Sequence, residues 1–278
     1  MRNFKALGMA AAAAFAMAAF PLPSLAQVSI GISFNVGVAP PEIPYYQQPE
    51  LPAPNEIWVP GYWAYGDYGY YWVPGTWVFA PRPGYLWTPG YWGWNSGRYR
   101  WHEGYWGPTV GYYGGVNYGA GYYGNGYVGG RWSGRTFRYN RYVTRVAPPY
   151  SKYTYVDRTV YVNNVAAPRP GYNGGPGGVH KRPTQQQAAF AASRRVEMTP
   201  VQQQHVRAAA QDRSLLANVN HKRPPVLAVV RPLSATNRSA AFARVKPADR
   251  VGAQHAAPQH GAPQHGAQRG RSDHQKPQ

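Results

Sequence analysis

Trp58-Val59-Pro60-Gly61-Tyr62-Trp63, Trp72-Val73-Pro74-Gly75-Thr76-Trp77, Trp87-Thr88-Pro89-Gly90-Tyr91-Trp92 and Trp101-His102-Glu103-Gly104-Tyr105-Trp106 are four copies of one pattern, Trp-x-x-Gly-x-Trp. They begin 14, 15 and 14 residues apart and hold eight of the ten tryptophans. Three copies carry a tyrosine two places before the first Trp (Tyr70, Tyr85 and Tyr99), and the first copy has Glu56 there. Such regular spacing marks one supersecondary unit used repeatedly. Pro followed by Gly suits the centre of a type II turn, because Pro presets φ and Gly accepts positive φ. A hairpin within each unit is therefore expected, with Trp58 facing Trp63 across one sheet face.

Between the units lie further turn signals: Tyr65-Gly66-Asp67-Tyr68-Gly69, Ala80-Pro81-Arg82-Pro83-Gly84 and Asn95-Ser96-Gly97. Residues 56–106 thus read as an antiparallel meander of about eight short strands. The prolines limit each strand to roughly five residues, below the 9–11 of a membrane barrel. The composition agrees. Gly (32), Pro (28) and Tyr (24) are heavily used, Leu, Ile, Val and Phe together are scarce, and there is no Cys. Any core must be aromatic, without disulfide or thiolate support.

Working towards the N-terminus, Pro40, Pro41, Pro44, Pro49, Pro52 and Pro54 mark an extended connector. Before it, Val28, Ile30, Ile32, Phe34, Val36 and Val38 alternate with small polar residues, the period of a strand. Residues 27–55 are this strand and connector. Residues 1–26 read as a secretory signal peptide. Arg2 and Lys5 precede an apolar run from Ala6 to Phe20, and Ser24-Leu25-Ala26 supplies a small-residue cleavage site. The expected location is outside the cytoplasm: periplasm, outer envelope or extracellular space. No stretch of the sequence reads as a transmembrane helix.

Towards the C-terminus, residues 107–130 are Gly/Tyr-rich, either tightly packed backbone or a low-complexity linker. Residues 131–165 form a basic β segment, and 166–183 a Gly/Pro linker. Residues 184–220 hold two short helices, near 185–197 and 200–217. Thr184 with Gln187 makes a capping box, and Thr199-Pro200 is a cap with Pro at the first helical position. Residues 221–278 read as a low-complexity disordered tail. The fold class is mainly β: a Trp/Tyr-rich antiparallel meander of short repeat hairpins, then marginal α-helices and that tail.

These motifs resemble the exported WxxGxW (YxWGxW) repeat proteins of proteobacteria. Besides the four repeats, the resemblance rests on Gly114–Gly119 with Gly129-Gly130-Arg131-Trp132, Asn173–Gly178, and Ala217-Asn218-Val219-Asn220, and spans roughly residues 28–225. It implies class and compartment, and no activity, cofactor or ligand. The chain departs from the pattern at Glu56 and at His102-Glu103, so the fourth unit is expected to turn differently.

The large repeat rings belong in a core more readily than on a free binding face. The structural set is Trp58, Gly61, Trp63, Trp72, Gly75, Trp77, Trp87, Gly90, Trp92, Trp101, Gly104 and Trp106. Tyr65, Tyr68 and Trp94, nearer the turns, are the candidate contacts for a sugar ring. The net charge is +19, or +17 without Arg2 and Lys5, which points to acidic partners. Arg131, Arg135, Arg138, Arg141, Arg145 and Lys152, interleaved with tyrosines, are the candidate polyanion contacts; the alternative is the solvated face of a few strands.

Glu56, Asp67 and Glu103, the carboxylates within the repeats, form no sequence pair for hydrolysis. No catalytic residue, cofactor or metal site is expected. His255, His260, His265 and His274 read as tail rather than as a metal site. The expectation is a non-catalytic cell-envelope protein contacting acidic polysaccharide, lipopolysaccharide or peptidoglycan. The alternatives are self-association into surface matrix and a periplasmic polyanion or nucleic-acid binder. Export argues against nucleic acid as the main target.

Overall fold

A computed structural model describes residues 35–159, 169–191 and 195–237. The expected signal peptide, residues 28–34 of the expected first strand, the end of the basic β segment and the chain beyond 237 lie outside these residues. The architecture is mainly β. In chain order the strands are β1 (Asn35–Val36), β2 (Glu56–Val59), β3 (Tyr62–Gly66), β4 (Gly69–Val73), β5 (Thr76–Phe79), β6 (Leu86–Thr88), β7 (Tyr91–Asn95), β8 (Arg98–His102) and β9 (Tyr105–Gly107). There follow β10 (Asn117–Gly119), β11 (Tyr122–Tyr123), β12 (Gly130–Ser133), β13 (Thr136–Asn140), β14 (Thr154–Tyr155) and β15 (Tyr172–Asn173), and the helices α1 (Gln185–Ala191) and α2 (Pro200–Ala210).

The eight strands β2–β9 exist, but they pair differently from the expected meander. β3 pairs with β4 and β2 with β5, in one unbroken register from Gly66↔Gly69 through Trp63↔Trp72 to Trp58↔Trp77 and Glu56↔Phe79. β7 pairs with β8 and β6 with β9 in the same way, from Asn95↔Arg98 through Trp92↔Trp101 to Trp87↔Trp106. Two repeat units therefore make one long hairpin, and the Pro-Gly steps are bends halfway along its arms. Trp58 does not face Trp63. Each indole instead pairs with one from the neighbouring unit, and all four pairs have ring centres 5.3 Å apart in tilted or edge-on geometry. Such pairs add about 0.5–1.5 kcal/mol each beyond their burial.

The role expected for the motif glycines is also corrected. None of Gly61, Gly75, Gly90 and Gly104 has positive φ. Each instead lies against the first indole of the partner unit: Gly61 under Trp72, Gly75 under Trp58, Gly90 under Trp101 and Gly104 under Trp87. A Cβ on Gly75 would stand 2.5 Å from Cζ2 of Trp58. The motif needs Gly because a ring occupies the side-chain space, not because of backbone handedness. Positive φ occurs where the chain reverses, as at Ser96 and Gly97, φ 48° and 83°, the signature of a type I′ hairpin turn. The fourth unit does not turn differently: Tyr91↔His102 keeps the register, and His102 stacks on Tyr91 at 4.5 Å.

Seven of the eight repeat indoles are essentially buried and Trp101 is half-buried. Their N–H groups stitch the chain together. Trp92 Nε1 donates to Trp63 O at 2.8 Å, joining the two hairpins. Tyr122 Oη donates towards Trp58 O (3.3 Å) and Trp87 O (3.0 Å), also bridging them. Trp63 and Trp77 donate to Glu42 O and Pro49 O in the Pro-rich connector, both at 3.0 Å. Extended Pro-rich chain has few N–H groups to satisfy and free carbonyls to offer, so it suits this strapping role.

Three expected boundaries move. The Gly/Tyr block is packed chain: Tyr113, Tyr118 and Tyr122 are buried, and Tyr118 Oη donates to Gly90 O at 2.6 Å. The described part of the Gly/Pro linker is packed too, because β15 pairs in parallel with β7 through Tyr172↔Trp92. The tail expected from residue 221 is instead folded against the body as far as Leu233. The expected capping box forms at Thr184/Gln187, and the expected Thr199 cap is completed into a second box by Gln202. The second helix stops at Ala210, short of the expected 217, and Leu216 bridges to Tyr71 at the edge of β4. Short straps of this kind cover edges that would otherwise stay open to other chains.

Candidate polyanion-binding face

Five of the six basic residues singled out by the sequence surround a small sheet, and the sixth, Arg145, turns away from it. β12 and β13 form a hairpin and β14 joins β13 in parallel. One face carries Trp132, Phe137 and Tyr139 and packs inward. Trp132 Nε1 donates to Tyr85 O (2.8 Å) and Tyr139 Oη to Glu56 O (2.9 Å), which anchors the sheet to both hairpins. Strand alternation then sends Arg131 and Arg138 to the opposite face, and the register sets them directly across from each other.

On that face Arg131 Cζ lies 4.5 Å from the centre of the Tyr155 ring. Arg138 Nη1 donates to Lys152 O at 2.6 Å, and Lys152 Nζ lies 5.2 Å from the Tyr153 ring centre. Arg135 is exposed in the turn between the strands, beside Gly134. Arg141 is exposed just beyond β13, and its backbone N–H donates to Tyr155 O at 3.0 Å. Arg145 is different: its guanidinium turns to the connector and pairs with Glu50 at 3.4 Å. Asp157 is the carboxylate felt by Arg131. Hydrogen bonds from Thr159 hold its carboxyl below the usual range, and Arg131 adds to that. Like charges directly opposite on a sheet repel, and Asp157 is the carboxylate that partly offsets this arginine pair.

The three aromatic candidates do not make a common platform. Tyr65 packs edge-on to Tyr70 (4.9 Å) and approaches Trp92 (6.5 Å). Trp94 packs on Tyr99 at 4.6 Å, and Gly174 and Gly175 lie against its indole. Tyr68, 70% exposed at a hairpin tip, is the one that stands free.

A family model described as the WXXGXW repeat matches in two copies, over residues 57–78 and 82–106. The chain carries the WXXGXW repeat. Each matched copy contains one two-unit hairpin, from Ile57↔Val78 to its tip and from Trp87↔Trp106 to its tip. In this chain the structural unit is thus the motif pair. No curated protein and no solved structure matches the chain.

The sequence reading missed a group around Glu56, His205, Arg231 and Leu233. Glu56, which fills the tyrosine slot of the first unit, is 1% exposed and pairs with Arg231. Burial pushes its carboxyl up, and Arg231 partly offsets this. His205 on α2 is buried against the Pro74 carbonyl at 2.8 Å. Only the departure of Glu56 from the repeat pattern hinted at this cluster.

Among the described residues no helix is long and apolar enough to cross a membrane.

Proposed function

We propose that this chain is a non-catalytic exported protein of the cell envelope. Its WXXGXW hairpins act as a rigid scaffold, and its basic sheet face holds anionic envelope polymer: acidic polysaccharide, lipopolysaccharide or peptidoglycan. One observation carries the reading. Arg131 and Arg138 oppose each other on the face of the small sheet away from Trp132 and Phe137, with the Tyr155 ring against Arg131, while the repeat indoles are used inside the core. Opposed arginines about 4.5–5.5 Å apart at Cβ present two charges to successive anionic groups of a polymer. The neighbouring tyrosines offer ring edges to sugars.

The test is sedimentation of the chain with lipopolysaccharide micelles and with peptidoglycan sacculi across a salt series. Binding should weaken steeply as salt rises. The double variant Arg131→Ala/Arg138→Ala should bind several-fold more weakly, with a shallower salt dependence. Equal binding by both proteins at every salt concentration would remove this face from the function.

A further inference from the structure

The last described stretch of the chain is fastened to the first hairpin as a short arm. Leu227 O accepts from both Gly75 N–H and Trp72 Nε1–H, each at 3.1 Å. Val229 N–H donates to Gly75 O at 2.8 Å, making a parallel bridge at the Pro-Gly bend. Val226, Ala228, Val229 and Leu233 are buried, Arg231 pairs with Glu56, and Leu233 N–H is taken by His205. Leu227, Val229 and Arg231 all grip the repeat hairpin itself.

The arm joins the body through a tight turn. Ala217 is fixed by its N–H to Tyr70 O at 2.8 Å. His221 and Lys222 then both adopt left-handed backbone, with φ 53° and 64°. Two successive non-glycine residues in that region are strained, because each Cβ crowds its own carbonyl. Both are exposed. Pro224-Pro225 follows, and consecutive prolines favour a stiff extended chain. Closing the arm onto its own hairpin therefore bends the chain sharply just before a segment that prefers to be straight. Opening the turn gives up Lys222 N–H to Ala217 O and Arg223 N–H to Asn220 O, and water can replace those bonds.

We propose that this arm, residues 224–233, is exchanged between two copies of the chain, with His221 and Lys222 as the hinge. Every contact of the arm can be remade by the arm of a second copy, so exchange costs no packing and relaxes the hinge. The partner surface is the bend at Pro74-Gly75 together with Trp72, Glu56 and His205.

The chain has no cysteine, which gives a clean test. Full-length Glu56→Cys and Arg231→Cys variants are mixed at high concentration, refolded together and treated with a short bis-maleimide, whose span replaces that of the Arg231 and Glu56 side chains. Exchange yields a cross-linked heterodimer, because cysteines at 56 and 231 meet only when one copy's arm seats on the other. The double variant Glu56→Cys/Arg231→Cys, refolded dilute, should close within one chain. His221→Gly/Lys222→Gly relieves the hinge, and sedimentation velocity should show its dimer fraction at least about tenfold below that of the parent. If the double variant closes and the mixture stays unlinked, exchange does not occur. If the double variant does not close, the arm is not seated as described and the proposal falls with it.

Discussion

The imidazole Nδ1 of His205 accepts the backbone N–H of Leu233 at 2.7 Å, while its Nε2 faces the carbonyl of Pro74 at 2.8 Å. A carbonyl can only accept and an amide N–H can only donate, so the ring is neutral with its proton on Nε2. Protonating Nδ1 would set two donors against each other in a buried site. Burial pulls His205 down from 6.5 to about 4, with the Pro74 bond partly opposing. The unfolded chain then binds more protons than the folded one between those values. Stability present above pH 6.5 is lost as pH falls towards 4, by about 3 kcal/mol in all. Glu56, pushed up by burial, contributes with the opposite sign at the acid end. Urea unfolding of the parent and His205→Gln across this range checks the point. The glutamine can both accept and donate but does not titrate, so its profile should be flatter. Identical profiles would exclude His205 as the cause.

Gly75 should tolerate no side chain. A Cβ there would stand 2.5 Å from the Trp58 ring and 2.9 Å from the Tyr46 hydroxyl. Gly75→Ala is expected to cost about 2–4 kcal/mol through overpacking. Gly37→Ala is the control, since nothing lies within 4 Å of its Cβ position. Tryptophan fluorescence during urea unfolding reads both. A Gly75→Ala protein as stable as Gly37→Ala would contradict the ring-over-glycine arrangement.

Trp58 and Trp72 are equally buried, but their N–H groups differ. Trp72 Nε1 donates to Leu227 O, whereas Trp58 Nε1 has no acceptor among the described residues. Replacement by Phe removes similar ring area in both cases. Trp72→Phe should therefore be the costlier change, by about 1–2 kcal/mol, because Trp58→Phe also removes an unsatisfied buried donor. Matched chemical denaturation of the two variants measures the difference. The reverse order would show that the N–H groups do not decide it.

Charge reversal at Arg131 should separate stability from binding. Arg131→Glu makes the pair with Arg138 attractive, worth about 0.2–1 kcal/mol, but gives up the Tyr155 ring contact and faces Asp157, so the stability should change by less than about 1 kcal/mol. The same variant should lose affinity for lipopolysaccharide. A variant that is both less stable and equally well bound would argue that the two arginines serve the fold.

Local chemistry made much of this molecule readable. Glu56–Trp106 announces aromatic β-structure through its spacing, Ser96-Gly97 announces a tight reversal, and Thr199-Pro200 announces a helix start. These depend on neighbours a few residues apart, where side-chain type directly restricts φ and ψ. The candidate site was half readable. The run of basic residues interleaved with tyrosines implied a basic strand face, but nothing local showed Arg145 turning away to Glu50.

What needed tertiary structure was the choice of partner. Pro-Gly fits a turn or a bend equally well, so Trp58 could meet Trp63 or Trp77. Packing chose Trp77, because only the long hairpin lets each motif glycine receive an indole from the next unit. The seat of Val226–Leu233 was likewise hidden. Its four buried apolar residues look like low-complexity chain until Gly75, Trp72, Glu56 and His205, distant in sequence, are brought to meet them.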